Sequence, residues 1–469
     1  MSVSIDDVLI GEYYVITPEG KLYYPEEFKT DDECFKALIE KEALKTGRKA
    51  RARSPHIDFL KRLNIAEQEP MSDAGHLSYL PKGALIVDLL MDYTLNIALK
   101  YGAMPVKTSI MYDLSDNAIK EHANLFGQRM YKVKPAKREF VLRYAACFGQ
   151  FALLRRHYLT YNNLPFKIFE VADSYRYEQR GELSGLARVR RFYMPDLHVL
   201  TKDLEEAKAE FKKLFKLILD EGYKFGWRYY NLYNIVYDFF KNEFNFILEL
   251  LNIEAKPALV YITEPNKYYW VINIEFHYID SQMRPLETAT VQIDIGNSKR
   301  FGITYIDKNG AKKYPIILHT AIHGSIERFL YEFLEEAAKM IENGKKPMLP
   351  VWLSPTQVRL IPISKSYIDF SIKILEALKE KCIRADIDDR DLTVARKVRE
   401  AEREWIPYIV LIGEKEVKSN MLTVRIREID QEVKLSLNEL INIIEKKTCG
   451  YPKRPLYYDV FLSKRPSIV

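Results

Sequence analysis

Apolar residues recur at helical spacing through LPKGALIVDLLMDYTLNIALKYGAM, where Leu85, Val87, Leu89, Leu90, Leu95 and Leu99 are apolar and Gly102 fits a C-terminal stop. The pattern predicts a helix over 77–103. Beyond it the period changes. FKIFEVADSY, ARVRRFYMPDLHVL, YYWVINIEFHYI, TATVQIDI and YPIILH are rich in β-branched and aromatic residues and read as strands. One long helical stretch, near 203–222, interrupts them, and GSIERFLYEFLEEAAKMIE, 324–342, closes the series as a helix. Runs of strands with an inserted helix predict an α+β domain with a mostly antiparallel sheet.

NGKKPMLP, 343–350, then reads as a linker. After it the elements alternate. VRLIPIS, RADID, YIVLIG and LTVRIRE read as strands. SYIDFSIKILEALKEK, with Ile368, Ile372 and Leu375 at i, i+4 and i+7, a segment near 391–404, and LNELINIIEKK read as helices. Such alternation over about 110 residues predicts a separate α/β domain with a largely parallel sheet. Residues 1–70 are charged and weakly periodic, and KTGRKARAR, 45–53, is a basic cluster. It reads as a solvated helix face or loop, or as a nucleic-acid patch. The predicted division is an N-terminal extension over 1–74, the α+β domain over 75–345 and the α/β domain over 350–469.

The 469 residues allow about three domains at ~150 residues each. A hydrophobic fraction of 47% and a charged fraction of 29% exclude disorder, collagen and coiled coil as the dominant class. No apolar run approaches the ~20 residues of a membrane span, so no membrane partner is expected. MSVSIDDVLIGEYY lacks a basic segment followed by an apolar one, so a cytoplasmic protein is expected. Four cysteines without CxxC spacing fit a reducing compartment. The net charge of +6 permits nucleic-acid binding without demanding it. Neither GxxxxGK[ST] nor a GxGxxG at a strand–helix junction occurs, which disfavours P-loop and Rossmann sites.

The densest chemistry lies in DSYRYEQRGELSGLARVRRFYMPDLHVL, 173–200. Two strand-like runs flank a polar loop holding Gly181 and Gly185, which predicts a hairpin. By strand parity, Arg176 and Glu178 share one face, as do Arg188, Arg190, Phe192, Asp196 and His198, with Val189, Leu197 and Val199 opposite. A row of arginines suits phosphate, whose oxygens the guanidinium fork binds in pairs. A solvated face with structural ion pairs is the other reading.

RYEQ, a loop and RVRRF together resemble motif 2 of the class II aminoacyl-tRNA synthetases, and GSIERFL resembles their motif 3. LRYAACFGQ, RVRRFYMPDLH, TVQID and HTAIHGSIER narrow the resemblance to threonyl-tRNA synthetases, and IPYIVLIGEKEV and LTVRIRE resemble that family's anticodon-binding domain. The resemblance implies a class II catalytic domain over 75–345 and an anticodon-binding domain over 350–469. It implies ATP-dependent attachment of threonine to tRNA(Thr) through a threonyl-adenylate. Cys147, His198 and His319 fall on the family's zinc ligands, one Zn2+ per subunit, although separations of 51 and 121 residues would not suggest a metal site by themselves. Asp196, Gln292, Ser325 and Arg176 match threonine contacts. Arg176, Glu178, Arg188, Phe192 and Arg328 match the ATP site, with Mg2+ accompanying ATP. Arg176 and Arg328 are the implied catalytic arginines, and His122 matches a histidine of the transfer step. Glu416 and Arg425 match anticodon contacts.

Motif 1 of the class carries a proline at its dimer interface; here Ser109 takes that place and Pro105 lies four residues earlier. A homodimer is still implied. About 75 residues precede the catalytic part, fewer than an editing domain needs. Zinc cannot reject serine, and one methyl group offers only ~1–3 kcal/mol of discrimination, so a separate editing protein acting in trans is expected. A non-catalytic synthetase-like protein that binds tRNA or regulates a partner, and a synthetase for proline or serine, are the competing readings.

Overall fold

The computed structural model describes residues 3–46, 54–124 and 127–466. The chain divides into two compact units, Met1–Arg53 with Thr94–Glu332, and Ser54–Tyr93 with Phe333–Val469. The stretch 1–74, read as one extension, is therefore shared between them. Of the basic run 45–53, all but Lys45 and Thr46 lies outside the described residues.

The first unit is built from β1 (Tyr13–Ile16), α1 (Glu33–Glu42), α2 (Cys147–Leu154), β2 (Phe166–Tyr175), β3 (Arg191–Thr201), α3 (Leu204–Lys224), β4 (Tyr229–Val236), α4 (Phe244–Glu254), β5 (Ala258–Thr263), β6 (Trp270–Ile279), β7 (Pro285–Asp294) and β8 (Ile316–Ala321). Its ten-stranded sheet runs Leu22–Tyr23, β1, β5, β4, β6, β7, β8, β3, β2, Met104–Pro105. Only two pairings are parallel, that of β4 with β5 and that of β2 with the short edge strand Met104–Pro105, so the sheet is mostly antiparallel as expected.

Sequence reasoning missed β4, β5 and α4. YYNLYNIV and ALVYIT are buried on both faces and lack alternation. It also missed β1, which joins the sheet beside β5. Asp32 caps α1 by accepting from the amides of Cys34 and Phe35, and Phe35, Leu38 and Ile39 then pack on Val15, Leu232 and Leu259. The N-terminal residues are thus part of the catalytic core. Helix α3 is capped by Asp203 and lays Phe211, Leu214, Phe215 and Ile218 against β7, β8 and β3. Helix α2 packs Phe148, Phe151 and Leu154 with Ile168, Leu200 and Ile317, which fixes its first residue over the sheet.

Helix α5 (Ile326–Glu342) leads on to the second unit. There β9 (Val358–Pro362), α6 (Ile368–Glu380), β10 (Ala385–Ile387), α7 (Val394–Arg403), β11 (Tyr408–Ile412), α8 (Glu414–Ser419), β12 (Leu422–Ile426), β13 (Gln431–Leu435) and α9 (Leu437–Thr448) follow. The sheet order is β10-β9-β11-β12-β13. Strand β9 is parallel to both neighbours, but β12 is antiparallel to both β11 and β13. The sheet is therefore mixed, not largely parallel. Strand β13 reads QEVKL and is mostly exposed, so no apolar run announces it. Beneath β9 the fully buried Arg359 binds Asp386 through Nε and Nη2, both at 2.9 Å, and Glu404 through Nη1 at 2.8 Å. Lys82 completes the cluster on Glu404 at 2.6 Å.

Candidate active site

The register of three neighbouring strands assembles the site. His198 on β3 lies opposite His319 on β8, and His319 lies opposite Gln292 on β7. Opposed residues in antiparallel strands point to the same face. Cys147, the first residue of α2, comes down onto that face. Its Sγ lies 3.5 Å from His198 Nε2 and 3.6 Å from His319 Nδ1, and the two nitrogens are 2.9 Å apart. All three residues are buried.

The hydrogen bonds behind the two imidazoles fix their tautomers. His198 Nδ1 faces Gln150 Oε1 at 2.8 Å, and Gln150 Nε2 donates to the Asp196 carbonyl at 3.2 Å, which orients the amide. His319 Nε2 faces Asp294 Oδ2 at 2.7 Å. Oδ2 and Oε1 only accept, so those ring nitrogens carry the protons. His198 Nε2 and His319 Nδ1 then turn lone pairs toward each other. Two acceptors at 2.9 Å repel unless a cation lies between them. Burial holds the Cys147 thiol well above its ordinary pKa, and a bound cation reverses that by stabilising the thiolate. One sulfur and two imidazole nitrogens suit a zinc ion with one position open.

Around this set stand the other expected residues. Asp196 Oδ1 is 3.9 Å from His198 Nε2, and burial pushes its carboxyl up to about 7 against the pull of His319. Tyr269, which sequence reasoning missed, donates its hydroxyl to Gln292 Oε1 at 3.0 Å and places its ring 5.3 Å from that of His319. Gln150 and Asp294 were also missed. Each lay inside a string already quoted: Gln150 one turn after Cys147, Asp294 two residues after Gln292 on the same strand face.

Arg176 donates from Nε to the Tyr144 carbonyl at 3.1 Å, and its guanidinium lies 5.1 Å from the centre of the Phe192 ring. Burial and the neighbouring Arg328 both lower its pKa. Arg328 donates to the Glu287 carbonyl at 2.6 Å and the Ala187 carbonyl at 3.2 Å. The two guanidiniums are close enough to repel, and the carboxylates of Glu287 and Glu178 offset part of that charge. Glu178 is buried, with Arg129 Nε at 3.7 Å, while the half-exposed Arg188 reaches Glu182 at 3.5 Å. His122 is buried. Its Nδ1 lies 2.8 Å from the Tyr144 hydroxyl, and burial drives its pKa down to about 3.

Two expectations change. Strand β2 ends at Tyr175 and β3 starts at Arg191, so Arg176, Glu178, Arg188 and Arg190 sit in the connection, where strand parity does not apply. Arg190 donates to the Glu178 carbonyl at 2.8 Å and lies over the Tyr177 ring, so it braces the connection and does not join the row. Ser325, expected among the threonine contacts, does not lie within the helix that carries Arg328. It precedes α5, and its hydroxyl accepts from the Arg328 amide at 3.2 Å, as a helix cap does. Gly324 makes this entry possible. Its φ is +64°, and an added Cβ would stand 1.7 Å from the Thr288 carbonyl oxygen. Gly324→Ala is expected to cost about 1–3 kcal/mol in urea unfolding. An unchanged midpoint would contradict the close approach.

In the second unit, Glu416 accepts from the Gly413 amide at 3.0 Å and from Thr423 Oγ1 at 2.7 Å. Arg425 shares a face of β12 with Thr423 and pairs with Glu402 at 2.7 Å. Both charges thus lie on one side of the strand, away from the buried Val424.

The family described as "tRNA synthetase class II core domain (G, H, P, S and T)" matches residues 131–337, and the "Anticodon binding domain" family matches 357–447. The chain is 46% identical to a threonine–tRNA ligase of Pyrobaculum islandicum over 97% of its own length and 75% of the relative's. It is 46% identical to that of Staphylothermus marinus over 97% and 74%, and 43% identical to that of Hyperthermus butylicus over 98% and 74%. The fold is similar to a solved structure titled as the RNA-binding domain of threonyl-tRNA synthetase from Cryptosporidium parvum. That match has a TM-score of 0.74 at 23% identity and covers 85% of this chain and 99% of the other. Among the described residues no helix is long and apolar enough to cross a membrane. At such identity over nearly its full length, the chain belongs to the threonine–tRNA ligase family of class II aminoacyl-tRNA synthetases.

Proposed function

We propose that Cys147, His198 and His319 hold a zinc ion that selects threonine over valine before the amino acid is joined to tRNA(Thr). The observation that carries this reading is the pair of imidazole lone pairs facing each other 2.9 Å apart beside the Cys147 thiol. Zinc bound there supplies coordination for the amino and hydroxyl groups of threonine. Valine has the same shape but no hydroxyl, and an apolar pocket separates such isosteres by only ~100-fold. Asp196 accepts from the threonine hydroxyl, and Gln292, steadied by Tyr269, completes the pocket with Ser325.

ATP, accompanied by Mg2+, lies over the arginines. A threonine carboxylate oxygen attacks the α-phosphorus, the bond to the bridging oxygen breaks and pyrophosphate leaves. No side chain is the nucleophile. Arg176 holds the α-phosphate and the carboxylate, Arg188 the γ-phosphate, and Phe192 and Arg328 enclose adenine, with Glu178 on its edge. In the transfer step a tRNA ribose hydroxyl attacks the threonyl carbonyl, the bond to AMP breaks, and His122, neutral at pH 7 and hydrogen-bonded through Nδ1 to the Tyr144 hydroxyl, relays the proton that the ribose gives up. Glu416 and Arg425 contact the anticodon.

A homodimer is supported by exposed Met104, Ile110 and Met111 beside the edge strand Met104–Pro105, near Ser109. Serine keeps the hydroxyl, so the metal does not reject it, and correction of seryl-tRNA is assigned to a separate protein in trans. The test is amino-acid-dependent exchange of pyrophosphate into ATP, followed by tRNA charging. Threonine and serine are expected to support exchange, valine is not, and seryl-tRNA is expected to accumulate. Equal exchange with valine would remove the zinc-selection reading, and seryl-tRNA that disappears on prolonged incubation would remove the need for an outside editor.

A further inference from the structure

We propose that Asp294 is a positioning residue that decides which nitrogen of His319 is free to bind the metal. This rests on the reading of Cys147, His198 and His319 as a metal site. The two histidines are backed differently. Behind His198 stands the neutral amide of Gln150, and behind His319 the carboxylate of Asp294.

Asp294 has its accepting capacity taken up. Oδ1 receives the amides of Gly296 at 2.8 Å and Asn297 at 2.9 Å. Oδ2 receives Asn297 Nδ2 at 2.7 Å and faces His319 Nε2 at 2.7 Å. The backbone of 294–297 thus aims Oδ2 at the imidazole. With the carboxylate in place, His319 keeps its proton on Nε2 and offers the Nδ1 lone pair to the metal. The charge also balances the ion. The Cys147 thiolate and the Asp294 carboxylate together neutralise a divalent cation in a buried pocket where uncompensated charge is costly.

Asparagine has the same shape as aspartate, yet it inverts this arrangement. Its oxygen is needed by the Gly296 and Asn297 amides, so its NH2 group must face His319, and the Asn297 side-chain amide, which donated to Oδ2, has to turn away. His319 Nε2 then has to accept, the proton moves to Nδ1, and Nδ1 points N–H at the metal position. A merely structural Asp294 predicts the opposite ranking, because asparagine preserves the turn that alanine destroys.

Zinc affinity is therefore measured on the full chain by chelator competition for the parent, Asp294→Asn and Asp294→Ala. Metal-free thermal unfolding confirms that each variant folds, and Co2+ absorption reports the sulfur ligand. Asp294→Asn is expected to lose about 10–100-fold in affinity, no less than Asp294→Ala, while melting closer to the parent. Asp294→Asn within twofold of the parent, or clearly tighter than Asp294→Ala, would overturn the proposal. A parent that binds zinc no more tightly than Cys147→Ser would instead overturn the metal reading, so the two failures are distinct.

Discussion

Arg176→Ala is expected to lower threonine-dependent exchange of pyrophosphate into ATP by about 10²–10⁴-fold, the range seen when a preorganised donor to a transferring phosphoryl group is removed. The side chain is anchored by its bond to the Tyr144 carbonyl at 3.1 Å, so its charge is in place before ATP arrives. Burial and Arg328 lower its pKa against the pull of Glu287 and Glu178, but a guanidinium stays protonated, so the charge is available to an anion. Arg176→Lys keeps the charge and loses the fork, and should fall between parent and alanine. The loss should appear in the exchange assay without tRNA. Exchange within threefold of the parent would show that Arg176 does not touch the reacting phosphate.

The second large effect is on stability. Arg359→Met removes the guanidinium that bridges Asp386 and Glu404, leaving Arg465 on the first and Lys82 on the second, and breaking a buried ion pair costs about 3–5 kcal/mol. Burial pushes both carboxyls up, but the charge and hydrogen bonds of Arg359, joined by Arg465 at Asp386 and by Lys82 at Glu404, together outweigh it and hold both below their ordinary values. Groups held low when folded contribute stability that is present above their ordinary pKa values of 3.8 and 4.5 and is lost as pH falls below them. The parent should therefore weaken below about pH 4. In the variant Asp386 keeps only Arg465, 2.9 Å from Oδ2, against the cost of its burial, so its carboxyl titrates higher than in the parent. The gap between variant and parent should narrow between pH 7 and pH 5. A gap that stays constant in urea unfolding over that interval would mean that the cluster is not electrostatically coupled.

How much of this was legible in the sequence depended on burial. Strands β2, β3, β6, β7 and β8 were readable because their β-branched and aromatic residues form distinct runs. Strands β4 and β5 were hidden because burial on both faces removes the alternation, and β13 because its Val433 and Leu435 stand among polar, mostly exposed residues. The sequence pattern found the arginine-rich connection but misassigned its faces, because parity holds only while the chain stays extended. His198 and His319 are 121 residues apart, and nothing in either local pattern states that β3 and β8 are neighbours. Only the family resemblance joined them to Cys147. Tyr269, Gln150 and Asp294 escaped because they act on the residues that touch the ligand, and such roles become visible only when the strands are aligned.

That alignment bears on how the site can change over generations. His198, His319 and Gln292 are held abreast by the pairing of β3, β8 and β7. Deleting or inserting one residue within any of these strands would turn its contribution to the opposite face. The connections between them can change length beyond the 294–297 turn that holds Asp294, and point substitutions can adjust the selectivity of the pocket. A single-codon deletion inside a strand cannot adjust it, since it takes a whole wall of the pocket away. Lineages of this chain should therefore carry their length variation in the loops and none between His319 and its partners along the three strands.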